Sequence, residues 1–298
     1  MRVIFCGTLC NFSIIPLRLL IEAGHDLCAV VIPSDQTLGG RPIAPLNPPH
    51  LTAIPLVEST AMPSIISLAW DRQVPVYQVN RLAAAETVET FQHWQADVAC
   101  VACFPRRIPT SLLNVPRYGF LNIHPSLLPH YRGPYPLFWM LRRGDRRFGV
   151  TLHFMDEQLD TGDIAAQAAV DLPDGISGEE ADRTLSGFGA ELLLDVLRRL
   201  ETNRLERRAQ PSGGSYFSAP QAVDFELETT WSAQRAFNFM RGTGEWQRSY
   251  PIDIAGQRFT LKQALFYSSN EVLDQPYRLW RDQIDIQFSP GVLRALST

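Results

Sequence analysis

The sequence predicts an α/β protein in which a large domain built on a parallel β-sheet precedes a small β-rich domain. Three observations lead to this prediction. Short, fully apolar strands alternate with helical segments through most of the 298 residues, as in a sheet covered by helices. The chain opens with a strand, a turn and a helix, which is how a right-handed β-α-β unit begins. After a composition break near residue 210, short alternating segments favour a separate β-rich domain.

The opening unit shows the strand-helix-strand order most clearly. Residues 3–6 form an apolar strand that runs into a turn at Gly7. Residues 14–23 have helical spacing and stop at Gly24, a residue type that commonly ends helices. Residues 27–32 form a second apolar strand. Because a helix joins the two strands, they are predicted to be parallel.

The rest of the large domain continues the same alternation. Further strands are predicted at residues 75–79, 97–104 and 119–124, and further helices at residues 83–95, 134–143 and 178–200. Residues 33–63 are rich in proline and lack periodicity, so they predict a long surface loop, whose role the sequence leaves open. The break at residues 210–215 predicts two domains, 1–209 and 210–298.

Composition excludes several classes of protein. Hydrophobic residues make up 45% and charged residues 19% of the chain, which is typical of a globular protein. The net charge of −4 gives no general attraction to nucleic acid or to an anionic membrane. No apolar run approaches the length of a membrane span, and cysteines in apolar runs suit a reducing compartment. We therefore expect a cytoplasmic protein with no membrane partner; its oligomeric state is left open.

The sequence predicts neither a metal site nor bound NAD. Cys100 and Cys103 have the C-x-x-C spacing of redox and metal sites, but they lie on a very apolar stretch. Buried thiols are therefore favoured over a functional pair. The first turn contains one glycine, Gly7, whereas a dinucleotide fold needs the G-x-G-x-x-G pattern for its pyrophosphate.

Two polar side chains end the strand predicted at residues 119–124. Asn122 and His124 are two positions apart, so they point to the same face. They lie at the carboxyl end of a parallel strand, where α/β sheets bind ligands. An amide can donate a hydrogen bond to an oxyanion, and an imidazole can accept a proton near neutral pH. A capping asparagine and a hydrogen-bonded core histidine would also explain the pair, and for these two residues alone that explanation is favoured.

A third polar residue, Asp160, follows in the segment L-D-T-G-D of residues 159–163. Aspartate and glycine predict a tight turn here, and Asp160 could simply stabilise that turn. The alternative is a carboxylate set against His124, where it would hold the tautomer of the ring and raise its basicity.

Together these segments resemble the formyltransferase family. The matching motifs are N-I-H-P-S-L-L-P-H-Y-R-G at 122–133, G-V-T-L-H at 149–153 and L-D-T-G-D at 159–163. The family includes methionyl-tRNA, glycinamide ribonucleotide and sugar-amine formyltransferases and the hydrolase domain of formyltetrahydrofolate dehydrogenase. The resemblance implies a Rossmann-like parallel-sheet domain, a barrel-like C-terminal domain and 10-formyltetrahydrofolate as co-substrate. It also implies that Asn122 stabilises the oxyanion, that His124 is the general acid and base, and that Asp160 orients it.

The resemblance further implies which residues surround the two substrates. Those assigned to the folate are Phe104, Pro105, Arg106, Arg107, Ile108, Leu128, Leu159, Asp160 and Asp163. Those assigned to the acceptor side are Ser126, Arg132, Gly133 and Tyr135. The arginines at 106 and 107 depart from the small, apolar pattern usual at this place. One of them could meet the folate glutamate tail, but a solvated surface pair is favoured.

The acceptor is predicted from charge. Residues 33–63 correspond to the basic loop with which the tRNA enzymes of the family contact tRNA, yet Arg41 is their only lysine or arginine. From Gly213 onward eight basic residues stand against nine acidic ones, a net charge of −1. Because RNA binding depends on phosphate contacts, a small amine is favoured over tRNA. Hydrolysis of the folate is a third possibility. The non-enzymatic alternatives are a folate-binding regulator with the same pocket and an α/β nucleotide-binding module.

Overall fold

A computed structural model describes residues 1–48 and 64–297, and its packing divides the chain into two compact units. The first unit contains Met1–Arg132, Gly149–Ala168 and Leu185–Gly214. The second contains Gly133–Phe148, Ala169–Thr184 and the chain from Ser215 onward. The second unit thus takes in two segments that precede residue 210. The domain limits 1–209 and 210–298 stay a prediction, which limited proteolysis can test.

An eight-stranded mixed sheet organises the first unit. Its strands are β1 (Arg2–Gly7), β2 (Asp26–Pro33), β3 (Ile43–Leu46), β4 (Val76–Val79), β5 (Val98–Ala102), β6 (Phe120–His124), β7 (Phe148–Phe154) and β8 (Ile164–Val170). They are ordered β3-β4-β2-β1-β5-β6-β7-β8. The pairs from β4 through β6 are parallel, whereas β3 pairs antiparallel with β4 and β7 pairs antiparallel with β6. The predicted α/β class is confirmed, with the correction that the sheet is mixed and not purely parallel.

Seven α-helices accompany these strands in the described part of the chain. They are α1 (Asn11–Glu22), α2 (Ile65–Trp70), α3 (Ala85–His93), α4 (Thr110–Leu113), α5 (Pro136–Arg143), α6 (Gly178–Glu201) and α7 (Ala233–Gly242). Gly24 follows α1 with φ +73°, in the left-handed conformation that ends helices. None of the helices in the described ranges is long and apolar enough to span a bilayer.

The predicted loop at residues 33–63 is wrong for its first half. Ile43–Leu46 form the edge strand β3, antiparallel to β4. The prolines on either side of this short strand masked its pattern, but Pro42 contributes its carbonyl to Asn80 N at 2.9 Å, and the Ile43 side chain is buried. Residues 49–63 of the predicted loop lie outside the described residues.

Close helix packing holds the middle of the sheet beneath the predicted site. Gly189 of α6 lies so near β6 and β7 that a Cβ atom there would come within 2.4 Å of Ile123 Cγ2 and 3.1 Å of Val150 Cγ2. The buried Ser186 hydroxyl on the same helix donates to the Phe12 carbonyl of α1 at 2.7 Å. The Gly189 contact covers the side of β6 opposite to Asn122 and His124, because alternate residues of a strand face opposite ways.

A strongly curved antiparallel sheet forms most of the second unit and confirms the β-rich prediction. Its strands are β9 (Tyr250–Ile254), β10 (Gln257–Ser268), β11 (Tyr277–Trp280), β12 (Gln283–Gln287) and β13 (Val292–Ser297), in the order β11-β12-β13-β10-β9. In a flat sheet β11 and β10 would be about 14 Å apart, three strand spacings. Yet the rings of Tyr277 and Phe259 lie 4.8 Å apart, so the sheet curls toward a barrel.

Candidate active site

The candidate site begins with a cross-strand pair of polar side chains on β6 and β7. Asn122 and His153 are register partners across these antiparallel strands, and His124 is paired with Thr151 in the same way. Partners of this kind stand on the same face of the sheet, near enough to interact. The Asn122 amide nitrogen accordingly lies 3.1 Å from His153 Nε2.

The second ring nitrogen of His153 decides the direction of that hydrogen bond. His153 Nδ1 lies 3.0 Å from the carbonyl of Phe154, which can only accept, so Nδ1 carries the proton. Nε2 of the neutral ring is then an acceptor, and Asn122 Nδ2 donates to it. The bond uses one of the two N–H groups of the amide and fixes its orientation. Sequence analysis quoted G-V-T-L-H as a motif but assigned no role to His153; only the register with Asn122 reveals one.

His124 is held as a buried, neutral imidazole. It is 4% exposed, and its Nε2 lies 2.8 Å from the carbonyl of Tyr131, so Nε2 is the donor and Nδ1 keeps its lone pair. Burial lowers the pKa of His124 below its ordinary value, against the smaller opposing effect of the Asp160 carboxylate. At neutral pH His124 is therefore ready to accept a proton at Nδ1.

The Asp160 carboxylate faces both histidines. Its Oδ1 lies 3.7 Å from His124 Nδ1 and 3.6 Å from His153 Nε2. Both distances are beyond a direct hydrogen bond, but the distance to His124 is within the range where a carboxylate stabilises an imidazolium electrostatically. The structure thus brings together all three residues that sequence analysis proposed for catalysis. The Asx turn of this loop is made by Asp156, whose Oδ1 accepts from Gln158 N at 3.1 Å.

The backbone of the Asp160 loop is constrained at two points. Asp160 has φ +56°, a left-handed conformation that is unfavourable for a residue with a side chain. Gly162 lies so close to the neighbouring strand that a Cβ atom there would be 1.9 Å from the Phe154 carbonyl oxygen, so no larger residue fits. Such a conformation persists only where its surroundings hold it.

Gln210 supplies part of that support, and sequence analysis missed it. Its Nε2 donates to the carbonyls of Asp160 at 2.8 Å and of Gly162 at 2.9 Å. Its Oε1 accepts from Arg132, at 3.2 Å from Nε and 2.7 Å from Nη2. Arg132, predicted on the acceptor side, therefore orients the glutamine that holds the aspartate loop.

This contact predicts the effect of changing Gln210. Gln210→Glu keeps the size of the side chain and its bond to Arg132 but turns an N–H donor into an oxygen facing two carbonyls. We expect kcat to fall about 10-fold, the scale of one to two lost hydrogen bonds. Steady-state kinetics of Gln210→Glu and Gln158→Glu would test this, because replacing the exposed Gln158 places the same negative charge in the loop that Gln210 contacts. An equal loss in both variants would assign the effect to charge and not to the lost donor.

Hydrogen bonds with Thr151 and Gln167 hold the turn that follows β6. The hydroxyl of Thr151, which is fully buried, donates to the Ser126 carbonyl at 2.6 Å and accepts from Leu128 N at 3.1 Å. Gln167 Nε2 donates to the Leu128 carbonyl at 2.9 Å. The turn is therefore rigid where it presents the Tyr131 carbonyl to His124.

The residues predicted to bind substrates occupy varied surroundings. Ile108 and Leu128 are buried, Phe104 and Asp163 are half-buried, and Pro105, Arg107 and Leu159 are exposed. Arg106 pairs with Asp35 at 2.6 Å and with the Ser34 carbonyl at 2.9 Å. Ser126 is buried, and its hydroxyl donates to the His130 carbonyl inside the turn. In the second unit Gly133 has φ +110°, and the Tyr135 ring lies 5.1 Å from that of Trp246.

Within the described ranges no group of three or more His, Cys, Asp or Glu residues could hold a metal ion.

Comparison with known proteins identifies the class to which this fold and site belong. Residues 1–197 match the family model described as formyl transferase. The methionyl-tRNA formyltransferase of Syntrophomonas wolfei is 33% identical over 301 residues, covering 99% of this chain and 90% of the relative. That of Pelotomaculum thermopropionicum is 32% identical over 247 residues, 83% of this chain and 73% of the relative. The chain belongs to the formyl transferase family and is an enzyme that transfers formyl one-carbon units, with formyltetrahydrofolate as the donor.

Solved structures agree on the fold. An N-formyltransferase from Helicobacter canadensis, solved with folinic acid and dTDP-3-aminofucose, superposes with a TM-score of 0.69 at 15% identity, over 100% of this chain and 99% of that one. WlaRD, a sugar 3N-formyltransferase solved with dTDP and 5-N-formyl-THF, gives 0.71 at 14% identity, over 100% and 97%. At such low identity the similarity concerns the fold and does not identify the acceptor.

Proposed function

We propose that this enzyme transfers the formyl group of 10-formyltetrahydrofolate to the primary amine of a small molecule, either an amino sugar or an amino-acid-derived amine. The observation that carries the reaction is the convergence of Asn122, His124 and Asp160 at the end of β6. The observation that carries the choice of acceptor is the low positive charge of the surfaces that would meet RNA.

The three side chains suit formyl transfer without further groups. The folate supplies an activated N-formyl group, whose oxygen gains negative charge when an amine attacks the carbon. The N–H group of Asn122 that does not bind His153 can stabilise this charge. His124 takes the proton of the attacking amine at Nδ1 and returns it to the leaving nitrogen. Asp160, 3.7 Å away, stabilises the imidazolium between these two steps.

The donor is proposed to lie beside the end of β5 and the loop before Asp160. Phe104 is the second residue after β5 and is half-buried against the core of the sheet, and Leu159, which precedes Asp160, is 48% exposed. The exposed apolar surface of these two side chains suits contact with the faces of a flat pterin ring. Leu128, Ile108 and Asp163 complete this proposed wall.

Ion pairing in the second unit weakens the case for an RNA acceptor. Arg258 pairs with Glu226 and Asp253, and Arg278 with Asp274. Arg294 forms two hydrogen bonds with the buried carboxylate of Asp285, at 2.7 and 2.9 Å. These arginines are neutralised within the unit, so they contribute little to phosphate binding, which depends on counterion release by free positive charge.

Methionyl-tRNA is the second candidate acceptor. The relatives at 32–33% identity carry that name, and one of them aligns over 99% of this chain. The candidate therefore rests on sequence similarity, and the small amine rests on charge.

A single assay separates the two acceptors. Enzyme and 10-formyltetrahydrofolate are mixed with charged initiator tRNA, or with a panel of amino sugars and amino acids, and tetrahydrofolate release is followed over time. We expect turnover with at least one small amine and none with the tRNA at ordinary salt. Efficient transfer to tRNA that falls steeply with added salt would contradict the proposal. Folate release at the same rate with and without any amine would indicate a hydrolase instead.

A further inference from the structure

We propose that Cys10 and Cys103 form a dithiol modification site, which hydroperoxides oxidise to a disulfide beside the donor side of the active site. Neither residue has a part in formyl transfer as proposed above. Cys10 directly precedes α1, and Cys103 directly follows β5. The two thiols are hydrogen-bonded to each other, although 93 positions separate them in the sequence.

The parallel pairing of β1 with β5 brings Cys10 and Cys103 together. Strands β1 and β5 are parallel neighbours, with Gly7 opposite Ala102, so the segments that follow them leave the same edge side by side. The Ser13 hydroxyl ties these segments together by donating to the Ala102 carbonyl at 2.8 Å. Cys100, the partner suggested by the C-x-x-C spacing, is buried within β5, and burial raises its pKa far above the ordinary value. The functional partner of Cys103 is therefore Cys10.

The surroundings of Cys10 make it the nucleophile of the pair. The Thr8 hydroxyl donates to its sulfur at 3.3 Å, and the Ser13 hydroxyl lies 3.4 Å away. Its position before the 12-residue helix α1 adds the favourable N-terminal end of the helix dipole. Hydrogen bonding, above all from the Cys103 thiol, lowers the pKa of Cys10 to about 5 despite partial burial. Cys103 is exposed and can act as the resolving thiol.

The chemistry balances with one hydroperoxide. The Cys10 thiolate attacks the terminal peroxide oxygen, breaking the O–O bond to give a sulfenic acid and water or an alcohol. The Cys103 thiol then attacks the Cys10 sulfur and expels water, so that the two thiols lose two hydrogen atoms and the peroxide is reduced. A disulfide needs the sulfurs at about 2 Å, so both side chains must rotate slightly from their hydrogen-bonded positions.

The location makes oxidation inhibitory. Ala102 pairs with Ile123 in the β5–β6 register, so the next residue, Cys103, leaves the sheet at the level of His124. Its other neighbour in sequence is Phe104, which is proposed to line the donor pocket. A disulfide would draw this segment toward α1. This inhibitory effect rests on the proposed function, whereas formation of the disulfide does not.

Peptide mapping and activity together test the proposal. The reduced full-length enzyme is treated with a small excess of hydrogen peroxide and digested without reductant. We expect a Cys10–Cys103 cross-linked peptide, loss of most formyl transfer, and recovery of both with dithiothreitol. In Cys103→Ser, a 1,3-diketone probe should trap sulfenic acid on Cys10. At pH 7, iodoacetamide should alkylate Cys10 at least about 10-fold faster than Cys28, which is also half-buried but whose pKa is raised by burial.

The outcomes separate this site from the formyltransferase proposal. Equal alkylation of Cys10 and Cys28, or a cross-link between other cysteines, would overturn the site whatever the reaction of the enzyme. A Cys10–Cys103 disulfide with undiminished turnover would overturn its inhibitory role. Cys28→Ser should remain as sensitive to peroxide as the wild type, whereas Cys10→Ser and Cys103→Ser should resist inhibition. If peroxide inhibited Cys10→Ser and Cys103→Ser as strongly as the wild type, the proposal would also be contradicted.

Discussion

Replacing His124 with asparagine is expected to lower kcat for formyl transfer by about 1,000-fold, within the range found for the loss of a general acid–base. The variant keeps a polar side chain beside the Tyr131 carbonyl but removes the lone pair at Nδ1 that faces Asp160. The measurement is single-turnover formyl transfer at saturating donor and amine. His130→Asn is the matched control, because His130 lies in the same turn with an exposed side chain. Equal losses in the two variants would refute the assignment.

The same residue gives a pH dependence with a definite sign. Because burial lowers the pKa of His124 below 6.5, the wild-type rate should be level near neutral pH and fall only below pH 6.5. Stability should follow the same direction. The unfolded chain takes up a proton at this histidine more readily, so the free energy of unfolding decreases as pH falls below 6.5. In His124→Asn this contribution disappears, and the decrease between pH 7 and 5 should be shallower.

Replacing Asp160 with asparagine is expected to lower kcat by about 100- to 1,000-fold. The neutral amide fills the same volume in the left-handed turn, where asparagine is tolerated, but it no longer stabilises protonated His124. Because the carboxylate raises the pKa of His124, its removal should move the acid limb of the pH–rate profile to lower pH. The variant thus becomes slower and, in relative terms, less sensitive to acid.

Asp156→Asn provides the control for Asp160→Asn, because it removes one charge from the same loop while retaining the Oδ1 acceptor for Gln158 N. It should leave kcat within a few-fold of the wild type. An acid limb that stays in place in Asp160→Asn would show that the carboxylate does not act on His124. In the double variant with His124→Asn the losses should fall well short of multiplying, since residues that act together are not additive.

Local pattern was sufficient to predict the strand end that carries Asn122 and His124. Apolar runs mark buried strands, and a spacing of two puts both side chains on one face. Asp160 became a convincing partner only through the resemblance of its motif to a family. His153 escaped prediction because its role depends on the β6–β7 register, which a sequence does not state. Gln210 was missed because it lies 50 residues beyond Asp160, in a segment interpreted as a domain limit.

The edge strand β3 and the thiol pair were not predicted because both depend on contacts between residues far apart in the sequence. β3 contains a proline and only four residues, so nothing in its composition distinguishes it from a loop; pairing with β4 makes it a strand. The C-x-x-C spacing directed attention to Cys100, whereas the parallel pairing of β1 with β5 brings Cys10 to Cys103. In both cases a non-local contact outweighs the local signal.

The division of the second unit among three chain segments has a consequence for synthesis of the protein. Helix α5 belongs to that unit and ends at Arg143, but α7, against which it packs, begins at Ala233. At translation rates of about 5–20 residues per second, these 90 residues take roughly 5 to 18 s to emerge. Throughout that time Phe138, Met140 and Leu141, all buried in the finished protein, have no partner helix. The nascent chain must therefore carry an apolar helix without its partner helix until α7 has emerged from the ribosome.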